Sequence, residues 1–205
     1  MLEIQSVEKL KDVSLNINKK KNKKTQIFLY DTHRRIDDFI MKLRYRRNEK
    51  YSDIPHYIIS KTGVIFNVFD VKHSSSTFDS ICNTKQIKIA LENLGWLNKN
   101  TITGILYNWI GDPYRGEPYI KKWRDYYFWD PYTKEQLDAL VDLCKYLCKE
   151  YNIPYQTVPS QGYISNVIKF TGIVSKSNFQ NIYTDINPSF NFNIFYNNDN
   201  EEDTE

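Results

Sequence analysis

The chain alternates between short apolar runs and polar segments in a way that predicts a sheet. Residues 27–30 form an apolar run bounded by polar residues, which is the pattern of a buried strand. Residues 56–59 and 64–69 predict two further strands, and the turn between them ends in a glycine that supplies the positive φ of a tight hairpin. Polar and apolar residues alternate at 86–91, which predicts a fourth strand.

Two segments carry the 3–4 spacing of amphipathic helices. The first follows Asp31 or Thr32, either of which is a candidate cap, and it has apolar residues at positions 36, 39, 40 and 43. The second and clearer helix begins at Thr133 and continues to about Tyr151. Thr133 and Gln136 fit a capping box, and apolar residues follow at helical spacing.

The length of 205 residues predicts one domain with short tails. After the second helix, a further short strand is predicted at 167–170 or at 172–174. The expected fold is α/β, with a central mixed sheet that contains a hairpin and is flanked by helices. We divide the chain into a basic N-terminal extension (1–24), a domain (25–195) and an acidic tail (196–205).

The region 96–132 is unusually rich in aromatic residues and has no regular spacing. So many amphipathic rings predict a large ordered insertion that packs on the domain, or a binding surface. The candidate contacts for a ligand or partner in this insertion are Trp109, Trp123 and Trp129. Tryptophan is enriched in the buried core of protein interfaces.

The N-terminal extension combines a short apolar pattern with a basic run. Val7, Leu10 and Val13 could line a short helix. The run that follows is interpreted as a solvated charge block or linker, with contact to phosphate or an acidic partner as the alternative. Its lysines are Lys19, Lys20, Lys21, Lys23 and Lys24. The net charge of only +3 does not favour a dedicated nucleic-acid-binding protein, so nucleic acid is expected as a partner only through this run.

Composition narrows the class of protein further. No apolar run approaches the roughly 20 residues of a membrane-spanning helix, and the amino terminus lacks the apolar core of a signal peptide. Cys82, Cys144 and Cys148 are odd in number and predict reduced thiols, not a disulfide framework. The richness in Lys, Asn and Ile and the scarcity of Ala are typical of AT-rich coding, as in many phages and some bacteria.

The order of these segments resembles the zinc-dependent N-acetylmuramoyl-L-alanine amidases, which include phage lysozyme-type amidases and peptidoglycan recognition proteins. The segments that carry the resemblance are, in chain order, 27–30, 54–65, His73, 87–89 and 133–151. The segment 184–190, Thr-Asp-Ile-Asn-Pro-Ser-Phe, is similar to the family's final metal-ligand segment, where an Asp or Cys shortly precedes a Pro and a Phe. The resemblance spans about residues 25–195.

The resemblance implies a Zn²⁺ held by two imidazoles and a thiolate or carboxylate, with an open position for water. A Tyr and a Lys of the family assist the developing oxyanion. In this sequence the first His position falls on Tyr30 and the second on Lys176. The catalytic Tyr falls on Pro55, and the assisting Lys falls on Tyr183. Only Asp185 matches a metal-ligand position.

These replacements predict a degenerate site that holds no zinc. A phenol and an ammonium cannot replace two neutral imidazoles, because Lys is protonated near neutral pH and repels the ion. Lys176 is expected to pair with Asp185 and to occupy the position of the metal. We therefore expect no catalytic residue and no cofactor. The alternative is a zinc site that His33, three residues beyond Tyr30, completes together with Asp185 and one other ligand.

Two histidines remain at positions that the family uses. His56 matches the His of the family's Tyr-His pair, and His73 corresponds to a His of the substrate groove. Both are candidate groove or partner-binding residues. The three serines at 74–76 beside His73 are interpreted as a groove loop and not as a nucleophile, because the glycines of a nucleophile elbow are missing.

The leading functional hypothesis is a catalytically inactive amidase-fold protein, encoded by a phage, that serves as a structural or binding module. Its expected partners are peptidoglycan or other virion proteins, its expected location is the virion or the cytoplasm of the infected bacterial cell, and it could form oligomers. The rival hypothesis is an active amidase, an endolysin, with an atypical zinc site. A third is a regulator of nucleic acid or of a host protein that uses the lysine run.

Overall fold

A computed structural model describes residues 3–7, 10, 15, 17–45, 54–75 and 84–196 of the chain. The strands in chain order are β1 (Ile4–Ser6), β2 (Ile17–Asn18), β3 (Gln26–Asp31), β4 (Tyr57–Ile59), β5 (Ile65–Asn67), β6 (Ser74–Ser75), β7 (Gln86–Leu91), β8 (Trp96–Lys99), β9 (Leu106–Tyr107), β10 (Tyr119–Trp123), β11 (Tyr126–Trp129) and β12 (Gly172–Ser175). The helices are α1 (Ile36–Tyr45) and α2 (Lys134–Tyr151), and short 3₁₀ turns follow at Val167–Lys169, Lys176–Asn178 and Phe192–Phe195.

The central sheet has six strands in the order β1-β5-β4-β7-β3-β12. The pairs of β4 with β7, β7 with β3 and β3 with β12 are parallel, whereas β4 and β5 are antiparallel. Every residue of β3 and β7 is buried, as expected for parallel strands that are covered on both faces. The predicted mixed sheet and its four strands are therefore confirmed, with β3 extending one residue beyond the apolar run at each end.

The hairpin between β4 and β5 forms as predicted. Gly63 closes its turn with φ +80°, in the left-handed region that favours glycine. A Cβ at this position would lie 2.7 Å from the Glu135 carbonyl oxygen, so the turn also needs glycine to approach α2. The sequence offered two segments for a strand after the second helix. Residues 172–175 form this strand, whereas Val167–Lys169 form a 3₁₀ turn.

Both helices pack on the sheet, but their starts differ from the prediction. The Thr133 side chain caps α2 and accepts a hydrogen bond from the Gln136 N–H, as expected. The Gln136 side chain instead donates to the carbonyls of Ile59 and Glu92, so it ties the helix to the sheet and does not complete a capping box. The predicted cap of α1 at Asp31 or Thr32 is wrong, because a Glu92 carboxylate oxygen accepts the Ile36 N–H at 3.0 Å.

The aromatic region is more regular than the sequence predicts. Its four strands form an antiparallel sheet in the order β10-β11-β8-β9. Trp129 is fully buried, and its ring lies 5.5 Å from the ring of Trp123. The residues 96–132 are therefore an ordered insertion with its own sheet, and we call this sheet the insertion sheet.

The N-terminal segment is part of the fold. Strand β1 runs parallel to β5 at the edge of the central sheet, and Val7 and Leu10 are buried in the main core, where a helix was predicted. Lys24, two residues before β3, is also buried and donates to the carbonyls of His73 and Thr84. The solvated lysine run therefore ends at Lys23.

Four features interpreted from the sequence lie outside the described residues, namely Val13, Ser76, Cys82 and most of the acidic tail. Cys144 and Cys148 are free thiols buried on α2. Neither helix in the described ranges has an apolar stretch long enough to cross a lipid bilayer.

The cap of α2 gives a direct test of this packing. Replacing Thr133→Ala removes the acceptor of the Gln136 N–H, so we expect the free energy of unfolding to fall by about 1 kcal/mol. Urea denaturation followed by circular dichroism measures this change. The exposed Thr101→Ala serves as the matched control, and equal unfolding midpoints for the two variants would contradict the assignment.

Candidate functional site

The site forms where two parallel strands end side by side. Leu29 of β3 pairs with Ser175 of β12, so the residues that follow each strand meet at the same edge of the sheet. Asp31 ends β3, His33 follows two residues later, and Lys176 directly follows β12. Residues at the carboxyl ends of such strands commonly form ligand sites, since the chain leaves the sheet there.

Asp185 is the centre of this site. Its carboxylate is 2 % exposed and accepts from three directions. His33 Nε2 lies 2.9 Å from one oxygen, and the other oxygen lies 3.3 Å from the Asp31 backbone nitrogen and 3.5 Å from Lys176 Nζ. The Asp185 carbonyl accepts the Ser177 N–H, which fixes this loop to the end of β12. A buried carboxylate is thus surrounded by two cationic side chains and a backbone donor.

The Lys176 ammonium lies between rings as well as beside a carboxylate. Its Nζ is 5.8 Å from the centre of the Tyr30 ring and 5.0 Å from that of the Tyr183 ring. Cations are attracted to the negative faces of aromatic rings at such distances. The structure therefore brings together four positions selected from the sequence, namely Tyr30 near the end of β3 and Lys176, Tyr183 and Asp185 after β12.

The charges of this cluster shift one another's pKa values. Burial alone would raise the pKa of Asp185, but His33 and Lys176 outweigh it and hold this pKa well below its usual range. Burial would lower the pKa of His33, but the Asp185 carboxylate outweighs it and raises this pKa above its usual value. Each member of the pair therefore favours the charged form of the other.

Asp31 is a second buried carboxyl group beside Asp185. Tyr132 Oη donates to its Oδ1 at 2.7 Å and accepts from the Asn187 backbone at 3.2 Å. The Oδ2 atom of Asp31 has no hydrogen-bond partner in the described part of the chain. Burial, and then the neighbouring Asp185, raise the pKa of Asp31 to about 8, against the opposing effects of His33, Tyr132 and Lys61.

Residues beside the insertion sheet, Trp109 after β9 and Gly95 before β8, hold His33 in place. His33 has φ +52°, a left-handed conformation that is uncommon outside glycine. Its carbonyl accepts the indole N–H of Trp109 at 2.7 Å, and the Arg34 guanidinium lies 4.6 Å from the same indole ring. Gly95 leaves room for the imidazole, since a Cβ there would lie 2.5 Å from His33 Nδ1. The insertion therefore positions the imidazole against Asp185.

The other predicted residues lie apart from this cluster. His56 is fully buried, and its Nδ1 accepts the Lys88 N–H while its Nε2 donates to the His73 carbonyl. Pro55 is also buried and lies, with His56, just before β4. In the central sheet β4 is separated from β3 by β7. The expectation that His56 contacts a ligand is corrected, because a buried ring with both nitrogens bonded to the backbone stabilises the sheet. Trp129 is corrected for the same reason.

Three further candidates have different environments. His73 is half-buried, and its carbonyl accepts from both His56 and Lys24. Trp109 is 44 % exposed, whereas Trp123 is half-buried in the insertion sheet. Ser74 and Ser75 form β6, where a groove loop was predicted; Ser75 Oγ donates to the Ile54 carbonyl and accepts from Lys88 Nζ.

The sequence pattern of the N-acetylmuramoyl-L-alanine amidase family matches residues 19–178. The chain belongs to this family. No curated protein sequence matches it significantly.

Solved structures agree with this amidase fold. AMPDH3 from Pseudomonas aeruginosa, solved in complex with anhydromuramic pentapeptide, is 13% identical with a TM-score of 0.52, and the match covers 86% of this chain and 60% of that one. The amidase LysC from Clostridium intestinale URNW is 15% identical with a TM-score of 0.47, covering 85% and 83%. Drosophila peptidoglycan recognition protein SA is 10% identical with a TM-score of 0.46, covering 85% and 80%. At these identities the likeness concerns the fold alone.

The residues at the metal position of this amidase-family chain do not fit Zn²⁺. Tyr30 and Lys176 stand where the resemblance implies two imidazoles, and an ammonium has no lone pair to offer a metal. His33 and Asp185 are suitable donors, yet the described residues contain no group of three or more His, Cys, Asp or Glu side chains arranged to hold a metal ion. The donor set is that of an ion-pair cluster.

Sequence reasoning missed the role of Tyr132. It lies next to Thr133, the cap of α2, so the start of that helix fixes the phenol against Asp31. The signal available in the sequence was that Tyr132 directly precedes a strongly predicted helix cap, whose position relative to the sheet is well fixed. The sequence did not connect Tyr132 with its partner Asp31, because the two residues are 101 positions apart.

The raised pKa of Asp31 predicts how stability depends on pH. Between the ordinary pKa of 3.8 and about 8, the folded state keeps a proton that the unfolded chain releases. The free energy of unfolding therefore falls as pH rises through this window, by at most about 1.4 kcal/mol per pH unit. Asp31→Asn keeps the acceptor for Tyr132 but cannot ionise, so it should melt at a higher temperature than the wild type at pH 8, by a margin that shrinks towards pH 5.

Thermal melts at pH 5, 6, 7 and 8 measure this margin, with the exposed Asp142→Asn on α2 as the matched control. A margin that does not change with pH would contradict the assignment of a protonated Asp31.

Proposed function

We propose that this amidase-family chain does not hydrolyse peptidoglycan and instead binds a peptidoglycan fragment as a recognition or structural module. The observation that carries the proposal is the state of Asp185. Its carboxylate pairs with His33 at 2.9 Å and with Lys176 at 3.5 Å, so side-chain cations of this chain take the place of a metal. Amidase chemistry in this family, as the resemblance implies, needs a zinc-bound water that such a cluster cannot generate.

The proposed ligand is a muropeptide. Family membership supports this ligand class, since the family is defined by the N-acetylmuramoyl-L-alanine amide bond. AMPDH3, which shares the fold, was solved with an anhydromuramic pentapeptide. The half-exposed Trp109 beside His33 supplies an aromatic surface at the rim of the site, which fits the amphipathic face of a glycopeptide.

The second candidate function is hydrolysis with an atypical zinc site. The proximity of the His33 imidazole to the Asp185 carboxylate favours it, because these are one nitrogen and one oxygen donor at the metal position. It requires Lys176 to leave Asp185 and a third ligand to enter. The charge of Lys176 opposes the binding of a cation at this place.

A virion location, a phage origin and virion partner proteins stay predictions. One observation favours a protein partner for the insertion, namely its large exposed apolar side chains. They are Ile102, Ile105, Ile110, Tyr119, Ile120 and Tyr127. Several exposed apolar side chains within one region of the chain are compatible with an interaction site.

Zinc content and hydrolysis together test the proposed function. We expect the wild type, purified with excess zinc and then dialysed, to hold no stoichiometric zinc by elemental analysis. Mass spectrometry should find no stem peptide released from muropeptides. The Tyr30→His/Lys176→His variant places two imidazoles beside Asp185, so we expect it to bind about one equivalent of zinc.

The Tyr30→Phe/Lys176→Met variant is the matched control, because it removes the same side chains without adding ligands. Chelator-sensitive release of stem peptide by the wild type would contradict the proposal and favour the second candidate.

A further inference from the structure

Trp109 lies in a turn that holds its own shape. The turn follows β9 and is closed by Asn108, whose buried side-chain oxygen accepts the N–H groups of Ile110 at 3.2 Å and Asp112 at 2.8 Å. The backbone of Asn108 bonds both to Asp112 and to Gly111, and Gly111 has φ +89°. The position of Trp109 is therefore fixed by contacts within the chain.

The indole of Trp109 is covered on one face and open elsewhere. Its N–H donates to the His33 carbonyl at 2.7 Å, and the Arg34 guanidinium lies 4.6 Å from the ring centre. Asp38 holds that guanidinium with a 2.6 Å ion pair. Trp109 is nevertheless 44 % exposed. Because Arg34 covers one face and His33 engages the N–H edge, the exposed area includes the opposite face of the ring.

A short series of contacts joins this ring to the Asp185 cluster. Trp109 bonds to the His33 carbonyl, and His33 Nε2 lies 2.9 Å from Oδ1 of Asp185. Lys176 approaches the other carboxylate oxygen, Oδ2, at 3.5 Å. The indole therefore stands on the His33 side of the cluster, and the Lys176 ammonium stands at the other oxygen.

The other aromatic rings of the cluster are less available to a ligand. Tyr30 is buried, and Tyr183 is half-buried. The Lys176 ammonium lies 5.8 Å and 5.0 Å from the centres of these two rings, so it already occupies their surroundings. Trp109 is thus the ring of this group that presents a large surface to solvent.

We propose that Trp109 is a saccharide subsite, where the pyranose ring of a muropeptide stacks on the open face of the indole. The inference rests on the muropeptide-binding function proposed above, and it assigns the sugar to the His33 side of Asp185. One face of a pyranose presents several C–H bonds, whose slightly positive hydrogens contact the negative face of an aromatic ring. An extended peptide has no comparable flat face. Because the indole is already fixed, little side-chain freedom is lost when the sugar binds.

Calorimetric titration of the full chain with two probes tests this subsite. One probe is an N-acetylmuramoyl pentapeptide, and the other is the same pentapeptide without the sugar. The wild type should bind the first about tenfold more tightly, because only that probe can stack on Trp109. Trp109→Ala should bind the two probes with equal affinity.

Trp109→Phe separates stacking from the hydrogen bond to His33. Phenylalanine keeps an aromatic face but has no N–H, so this variant should retain most of the preference for the sugar-bearing probe. A purely structural role of the hydrogen bond would make Trp109→Phe behave like Trp109→Ala. Tyr127→Ala, which removes another exposed aromatic residue of the insertion, is the matched control and should bind both probes as the wild type does.

Nuclear magnetic resonance of the bound probe reports the contact directly. Ring current should shift the pyranose C–H signals upfield with the wild type and with Trp109→Phe, but not with Trp109→Ala. Equal affinity of the wild type for the two probes, or a preference kept in full by a folded Trp109→Ala, would overturn the subsite.

The integrity of the probes, measured by mass spectrometry on the same samples, reports separately on the function proposed above. Cleavage of the sugar–peptide amide would refute the non-hydrolytic function even where the preference for the sugar persists. Intact probes with equal affinities would refute only the role of Trp109, and binding of neither probe would refute both.

Discussion

The need to pair the buried carboxylate of Asp185 governs the arrangement of this molecule's functional edge. A carboxylate that is almost fully removed from water is strongly unfavourable unless cations and donors surround it. The chain supplies His33, Lys176 and the Asp31 backbone for this purpose. Each of these groups comes from the end of β3 or β12, so the parallel pairing of the two strands brings the partners of Asp185 together.

The remaining parts of the fold stabilise this cluster from outside. The start of α2 presents Tyr132 to Asp31, and His33 is fixed by Trp109 after β9 and by the space at Gly95 before β8. Burial, and then the neighbouring Asp185 carboxylate, raise the pKa of Asp31 to about 8, so Asp31 stays mainly protonated near neutral pH. Two adjacent acids in different protonation states, with two cations at one of them, form a complete electrostatic unit.

Local patterns predicted the elements of the central sheet and α2, because strand alternation, the hairpin glycine and the cap at Thr133 are encoded within a few residues. The amidase resemblance brought Tyr30, Lys176 and Asp185 to one site, and the contact between Lys176 and Asp185 is present in the structure. The insertion sheet was not predicted, because its aromatic residues lack simple alternation. The left-handed conformation of His33 was also missed, since its cause is contact with Gly95 and Trp109 far along the chain.

The most direct measurement is anomalous X-ray scattering at the zinc absorption edge, from crystals of the wild-type protein grown with excess zinc. The account predicts electron density for the Lys176 ammonium against the Asp185 carboxylate, with no anomalous peak between them. A strong peak within coordination distance of Asp185 and His33, with Lys176 turned away, would contradict it.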